Sequence, residues 1–146
     1  MSEFNGAWQG TGTDRDSPLE SAQPTRCQIR IRADDKRLSS TTTCNRDNGF
    51  SKVLHFTVTL DGNRLTGNAS QTGTAKGGQP KTLGGPVKGD KAGDTATLLV
   101  RTPGMTPNAN IVLKHLPPSS FSLTIGSLGA TLTDVTFRRA GDQRRP

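Results

Sequence analysis

The chain has 146 residues, with 19 Lys and Arg against 12 Asp and Glu, a net charge of +7, 29% hydrophobic residues and no tyrosine. That length suits one domain, spanning 1–146, able to bury roughly two-thirds of its unfolded surface. No apolar run approaches the roughly 18 residues that span a membrane as a helix, and the apolar residues are periodic, which argues against disorder and for a thin core that relies on a covalent staple.

The opening MSEFNG lacks a signal-peptide core. Trp8, Gly10 and Gly12 then alternate with Ala7, Gln9, Thr11 and Thr13, which predicts a first strand whose small residues permit close backbone approach. Asp14 to Pro24 is polar with two prolines and reads as a long loop. In Thr25 to Ala33, Cys27, Ile29 and Ile31 alternate with Arg26, Gln28, Arg30 and Arg32. In Arg37 to Cys44, the residues Leu38, Ser40, Thr42 and Cys44 share a face. Folding at Asp35-Lys36 sets Ile31 opposite Ser40, Ile29 opposite Thr42 and Cys27 opposite Cys44. The cysteines then form a non-hydrogen-bonded pair with Cα atoms about 4.5 Å apart, within disulfide range. Closing a loop of about 18 residues contributes roughly 3 kcal/mol in the chain-entropy view. The alternative is two buried reduced thiols. The pairing geometry favours the disulfide and hence an oxidising compartment, periplasmic or secreted, with a leader removed.

Asn45 to Gly49 turns the chain into Leu54, Phe56, Val58 and Leu60, alternating with Val53, His55, Thr57 and Thr59. Asp61-Gly62 is a strong hairpin signal; it sets Val58 opposite Leu65, Phe56 opposite Gly67 and Leu54 opposite Ala69. Gln71 to Pro80 reads as a mobile Gly/Thr-rich stretch. Thr82 to Lys88 reads as a short strand weakened by Gly84, Gly85 and Pro86, at an edge or a bulge. Gly89 to Asp94 reads as a turn, Thr95 to Thr102 as a strand and Pro103 to Asn110 as a second loop. Asn110 to Leu116 and Phe121 to Ile125 pair across Pro117-Pro118-Ser119-Ser120, and Ala130 to Arg139 is the last strand. No window carries helical spacing with caps. The expected fold is all-β, a single antiparallel up-and-down barrel of about eight or nine strands without a C-terminal helix, closed because closure removes exposed edges.

Gly6-Ala7-Trp8 at the start and Arg138-Arg139 at the end resemble the end-closing signature of the calycin superfamily, the lipocalin and avidin type of barrel. The resemblance implies that Trp8 plugs one barrel end and that a basic residue of the last strand lies over its ring. Arg139 is the choice, since it alternates in phase with Val135 and Phe137; such a contact is worth about 0.5–2 kcal/mol. The lipocalin Thr-Asp-Tyr motif and C-terminal helix have no counterpart here. The run is also similar to exported alphaproteobacterial proteins of unassigned function. The Gly-x-Trp-x-Gly-x-Gly start resembles haem-binding nitrobindins, but a proximal ligand would require His115 to point inward.

No catalytic constellation emerges. His55 falls on the solvent face, His115 lies beside a prolyl turn, and Asp34-Asp35 are turn formers. The cysteines have no second metal-ligating pair nearby, and Gly77 to Thr82 lacks phosphate-loop spacing. No cofactor or metal is expected. Arg26, Arg30 and Arg32 form one basic strand face without the aromatic platform that nucleic-acid binding uses. The leading expectation is therefore a non-enzymatic exported barrel that binds a small hydrophobic molecule inside. Its site residues are Trp8, Phe56, Leu98, Phe121 and Arg139, with the inner face around Phe56, Leu98 and Phe121 lying under the Asp14 to Pro24 loop. The scarce inward bulk fits a cavity, and equally a flattened barrel whose walls touch through Gly10, Gly12 and Gly67. A second expectation is an interaction module for an envelope protein, such as a periplasmic hydrolase inhibitor acting through Asp14 to Pro24 or Pro103 to Asn110. Polyanion binding through Arg26, Arg30 and Arg32 is the third.

Overall fold

The computed structural model describes residues 1–101, 109–127 and 129–139. One 3-10 turn, Ser2–Phe4, precedes ten strands. The first five are β1 (Gly6–Asp14), β2 (Gln23–Ala33), β3 (Arg37–Arg46), β4 (Ser51–Asp61) and β5 (Arg64–Thr74). The second five are β6 (Lys81–Ala92), β7 (Thr95–Val100), β8 (Ala109–Leu116), β9 (Ser120–Ser127) and β10 (Ala130–Arg139). Each strand pairs antiparallel with its sequence neighbours, and β1 also pairs with β10, so the sheet closes. The expected eight or nine strands are thus ten. The segment discounted for Gly84, Gly85 and Pro86 is a full strand, in unbroken register with β5 from Arg64↔Asp90 to Gly73↔Lys81. Its edge character survives in part: β6 meets β7 only from Val87 onward, so Pro86, which has no N–H to donate, sits where that ladder ends.

Alternation sorts the side chains as period two requires. Ile29, Ile31, Leu38, Phe56, Val58, Leu98, Leu113, Leu123, Val135 and Phe137 are buried, while Arg26, Gln28, Arg30 and Arg32 are outside. Apolar inside and polar outside is the reverse of a lipid-embedded barrel. Among the described residues, no helix is long and apolar enough to cross a membrane.

The β2–β3 hairpin has the expected register, with Cys27↔Cys44, Ile29↔Thr42 and Ile31↔Ser40. Its turn is fixed by Asp34, whose carboxylate accepts the N–H groups of Lys36 at 2.8 Å and Arg37 at 2.9 Å. Those two bonds hold its carboxyl below the usual carboxylate range. The cysteines form a disulfide with Cα atoms 4.1 Å apart.

The β4–β5 hairpin differs from expectation by two residues. Asp61 pairs with Arg64, so the loop is Gly62-Asn63, with Gly62 at φ +62°, and Val58 faces Gly67, Phe56 faces Ala69 and Leu54 faces Gln71. An even shift leaves every side chain on its expected face. The long first loop is also shorter than expected, because Asp14 pairs with Gln23 and Thr13 with Pro24, leaving 15–22.

Gly12 and Gly67 do bring backbones together, but between hydrogen-bonded neighbours and not across the barrel. A Cβ on Gly12 would lie 1.9 Å from the Asp134 carbonyl oxygen of β10, and one on Gly67 would lie 1.8 Å from that of Thr57 on β4. At both positions the neighbouring backbone leaves no room for a side chain.

Candidate functional site

One end of the barrel is sealed by aromatic residues. The 3-10 turn carries Phe4 inward, where its ring meets Phe121 edge-on at 5.6 Å. Phe121 also meets Trp8 edge-on at 4.8 Å and stacks on Phe137 at 5.0 Å. Trp8 Nε1 donates to the Phe4 carbonyl at 2.9 Å, so the buried indole N–H is satisfied. The Arg139 guanidinium lies 4.3 Å from the Trp8 ring centre and donates to the Asn5 carbonyl at 3.1 Å. Gly6 makes room for it: φ is +130° there, and a Cβ would come within 2.7 Å of Arg139.

The opposite end carries the 15–22 loop and a buried charged cluster. Asp14 ends β1 facing inward. Its Oδ2 accepts Arg46 Nε at 2.8 Å, and its Oδ1 accepts Thr133 Oγ1 at 2.6 Å and also Lys52 Nζ. Lys52 donates to Thr133 at 3.1 Å, and Arg46 reaches on to the half-exposed Asp16 at 2.7 Å while covering the Phe50 ring at 4.0 Å. Two acids and two bases leave the cluster without net charge. One carboxylate shared by two buried cations is needed there, because either cation alone in the wall would lack a counter-charge.

Beside this cluster, a hollow of about 230 Å³ opens at the barrel mouth. Leu54, Ala69, Val100, Ile111 and Ile125 supply much of its apolar surface, and Asp16, Ser70, Gln71 and Ser127 its polar groups. A second hollow of about 230 Å³ adjoins it and shares Asp16, Gln71, Leu83, Ile125 and Leu132, with Lys52 and Thr133 in its wall.

The five expected site residues divide between these regions. Trp8, Phe121 and Arg139 come together in the sealed end. Phe121 therefore lies at the far end from the 15–22 loop instead of beneath it, because β9 enters the barrel from the sealed end at Ser120. Phe56 and Leu98 are buried one inward position deeper than Leu54 and Val100, next to the hollow's lining. Arg26, Arg30 and Arg32 stay on the outer face of β2. His55 is also outside, with Nδ1 3.0 Å from Thr41 Oγ1, while His115 sits edge-on to Phe4 at 6.2 Å, against the plug. The 103–108 part of the second candidate loop lies outside the described residues, as does the basic pair Arg144-Arg145 near the end of the sequence.

Sequence reasoning missed the cluster, although its signal was present. Asp14 is in phase with Trp8, Arg46 with Cys44, Lys52 with Leu54 and Thr133 with Val135, so strand parity alone directs all four inward. Also missed were Ser40 and Thr42, whose hydroxyl oxygens are buried inside the barrel with no hydrogen-bond partner. Among the described residues, no group of three or more His, Cys, Asp and Glu side chains is assembled that could hold a metal ion. No protein-family model and no curated protein sequence matches the chain significantly.

Proposed function

We propose that this protein is a non-enzymatic, exported, calycin-like barrel that holds a small hydrophobic molecule in the hollow at its charged end. The observation that carries this is the asymmetry of the interior: one end is filled by Trp8, Phe4, Phe121 and Phe137, while the other keeps an apolar-walled hollow with few polar groups. Concave, mostly apolar sites with a few placed polar groups are how proteins take up small ligands. Leu54, Val100, Ile111 and Ile125 would contact the occupant, Phe56 and Leu98 would form its floor, and Trp8, Phe121 and Arg139 would close the far side. Export is supported by the Cys27–Cys44 disulfide, a bond kept in oxidising compartments. The calycin-like assignment is supported by Arg139 lying over Trp8. The test is uptake of the uncharged dye N-phenyl-1-naphthylamine, with native mass spectrometry of the protein as isolated from its own periplasm. Saturable uptake is expected; a folded barrel that neither takes up the dye nor retains any small molecule overturns ligand binding.

One observation favours a second role, docking on an envelope protein through the 15–22 loop. Arg15 braces that loop, donating to the carbonyls of Thr131 at 3.0 Å and of Pro18 and Glu20 at 3.3 Å. Ser17 caps the Leu19 N–H at 3.2 Å, and Leu19 itself is 97% exposed at the apex. A loop held in this way loses little further freedom on binding. Inhibition of a secreted hydrolase by the native protein but not by Leu19→Glu would establish this role; equal behaviour of the two would dismiss it.

A further inference from the structure

We infer that the outer face of β10, β1, β2 and β3 is a docking surface for an acidic polysaccharide, a chain of sugars that bear carboxylates. The inference is independent of the hollow at the barrel mouth. Strand register lays the face out in rows: Arg26 pairs with Thr11, Gln28 with Gln9 and Arg30 with Ala7, and across β1 Gln9 pairs with Arg138. Arg26, Gln28, Arg30 and Arg138 are all exposed. Short side chains on β1 and β3 beside the long ones of β2 give the face its relief. One shallow depression of about 650 Å³ has Arg26 and Arg138 in its lining, and a second of about 510 Å³ has Arg30. The two are continuous through Gln9, Gln28 and Thr43.

Nothing on this face answers the three guanidinium groups. Neither depression has a carboxylate in its lining. Among the described residues, Arg26, Arg30 and Arg138 make no ion pair. The acid on the outer face of these strands, Asp134, pairs with Thr13 and lies outside both depressions. Arg32 extends the line of cations along β2. By strand geometry the Cα atoms of Arg26, Arg30 and Arg138 stand about 12 Å from one another, around the Gln9–Gln28 pair.

One exposed guanidinium–carboxylate contact is worth about 0–1 kcal/mol, so a small anion gains little here. Several carboxylates on one chain engage the three arginines together, because the first contact raises the effective concentration of the next. Each planar fork takes a carboxylate through two parallel hydrogen bonds. Between the cations stand amides and a hydroxyl, from Gln9, Gln28 and Thr43, which complement the hydroxyl groups of sugars. Nucleic acid fits less well: the aromatic residue at the depressions, Trp8, is 1% exposed and offers no ring for a base to stack on. An acidic peptide would dock best by adding a strand to a sheet edge, and these strands are paired on both sides in a closed barrel.

The test is calorimetric titration of polygalacturonate into the full chain, beside its methyl ester, polyglutamate and oligo-dT. Polygalacturonate is expected to bind tightest and to lose about tenfold in affinity between roughly 50 and 200 mM salt. The uncharged methyl ester should not bind. The variant Arg26→Gln/Arg30→Gln/Arg138→Gln should weaken binding by at least about tenfold. The variant Arg64→Gln/Lys88→Gln/Lys114→Gln removes the same charge from β5, β6 and β8 on the opposite wall, and should change affinity by less than about twofold. Gln28→Ala should weaken binding about threefold and leave its salt dependence as it is, since it removes a hydrogen bond and no charge. All the substituted side chains are exposed, so the barrel keeps its fold. Equal losses in the two triple variants, binding of the methyl ester as tight as that of the acid, tightest binding of oligo-dT or polyglutamate, or no binding of polygalacturonate overturns the inference. Uptake of N-phenyl-1-naphthylamine is decided separately, because none of these outcomes involves the hollow.

Discussion

Arg46, at the end of β3, donates through Nε to Asp14, at the end of β1, at 2.8 Å. The two residues lie on strands separated by β2, so the bond ties the barrel rim across a strand that neither belongs to. Lys52 on β4 and Thr133 on β10 converge on the same carboxylate. Asp14 therefore holds together four strands on both sides of the β1–β10 closure.

Replacing Asp14 by Asn keeps the shape and removes the charge. Lys52 would then be a buried cation facing an amide, and Arg46 would keep only the half-exposed Asp16. Loss of one member of a buried ion pair costs about 3–5 kcal/mol. A urea titration should show the midpoint falling accordingly, with the slope unchanged. A loss under 1 kcal/mol would mean that water reaches the cluster freely.

The disulfide joins adjacent strands of one hairpin and closes a loop with a sequence separation of 17. The Cys27→Ala/Cys44→Ala variant should lose about 3 kcal/mol, chiefly because its unfolded chain is less constrained. Reductant should lower the denaturation midpoint of the native protein to that of the variant and leave the variant's own midpoint where it is. An identical midpoint with and without the bond would show that the hairpin needs no staple.

Glu3 links the plug to pH. Burial works against its charged form, but the hydrogen bonds from its own backbone and from Lys91, together with the nearby amino group of Met1, outweigh burial and lower its carboxyl to about 2. A depressed carboxyl stabilises the fold fully above its unfolded value of 4.5 and loses that contribution as pH falls toward about 2. Stability measured between those limits should fall more steeply for the native protein than for Glu3→Gln. The two curves should converge at the acid end, and parallel curves would remove Glu3 from the account.

What could be read from the residues followed the strength of local pattern. The β2–β3 register was legible because turn chemistry at Asp34 to Lys36 and the alternation of Cys27, Ile29 and Ile31 demand the same pairing. At β4–β5 the two signals part: Asp61-Gly62 looks like the loop, yet Asp61 pairs with Arg64 and the turn passes to Gly62-Asn63. Parity could not expose that slip, since it is even. The plug was legible through Trp8 and Arg139, whereas Phe4 was not, because its place depends on a single 3-10 turn before the first strand. The hollow was least legible, since it is set by how ten strands coil, which depends on close approaches such as Gly12 to Asp134 that leave no periodic trace.

The unpartnered hydroxyls inside β3 make a prediction that needs no ligand. If Thr42 Oγ1 is a buried group without a bond, Thr42→Val should stabilise the empty barrel by about 1–2 kcal/mol, because valine has nearly the same shape, suits a strand and leaves nothing unsatisfied. A hydroxyl already bonded within the fold would instead make the same change destabilising by about 1 kcal/mol. The sign of the shift in the urea midpoint of ligand-stripped protein decides between them.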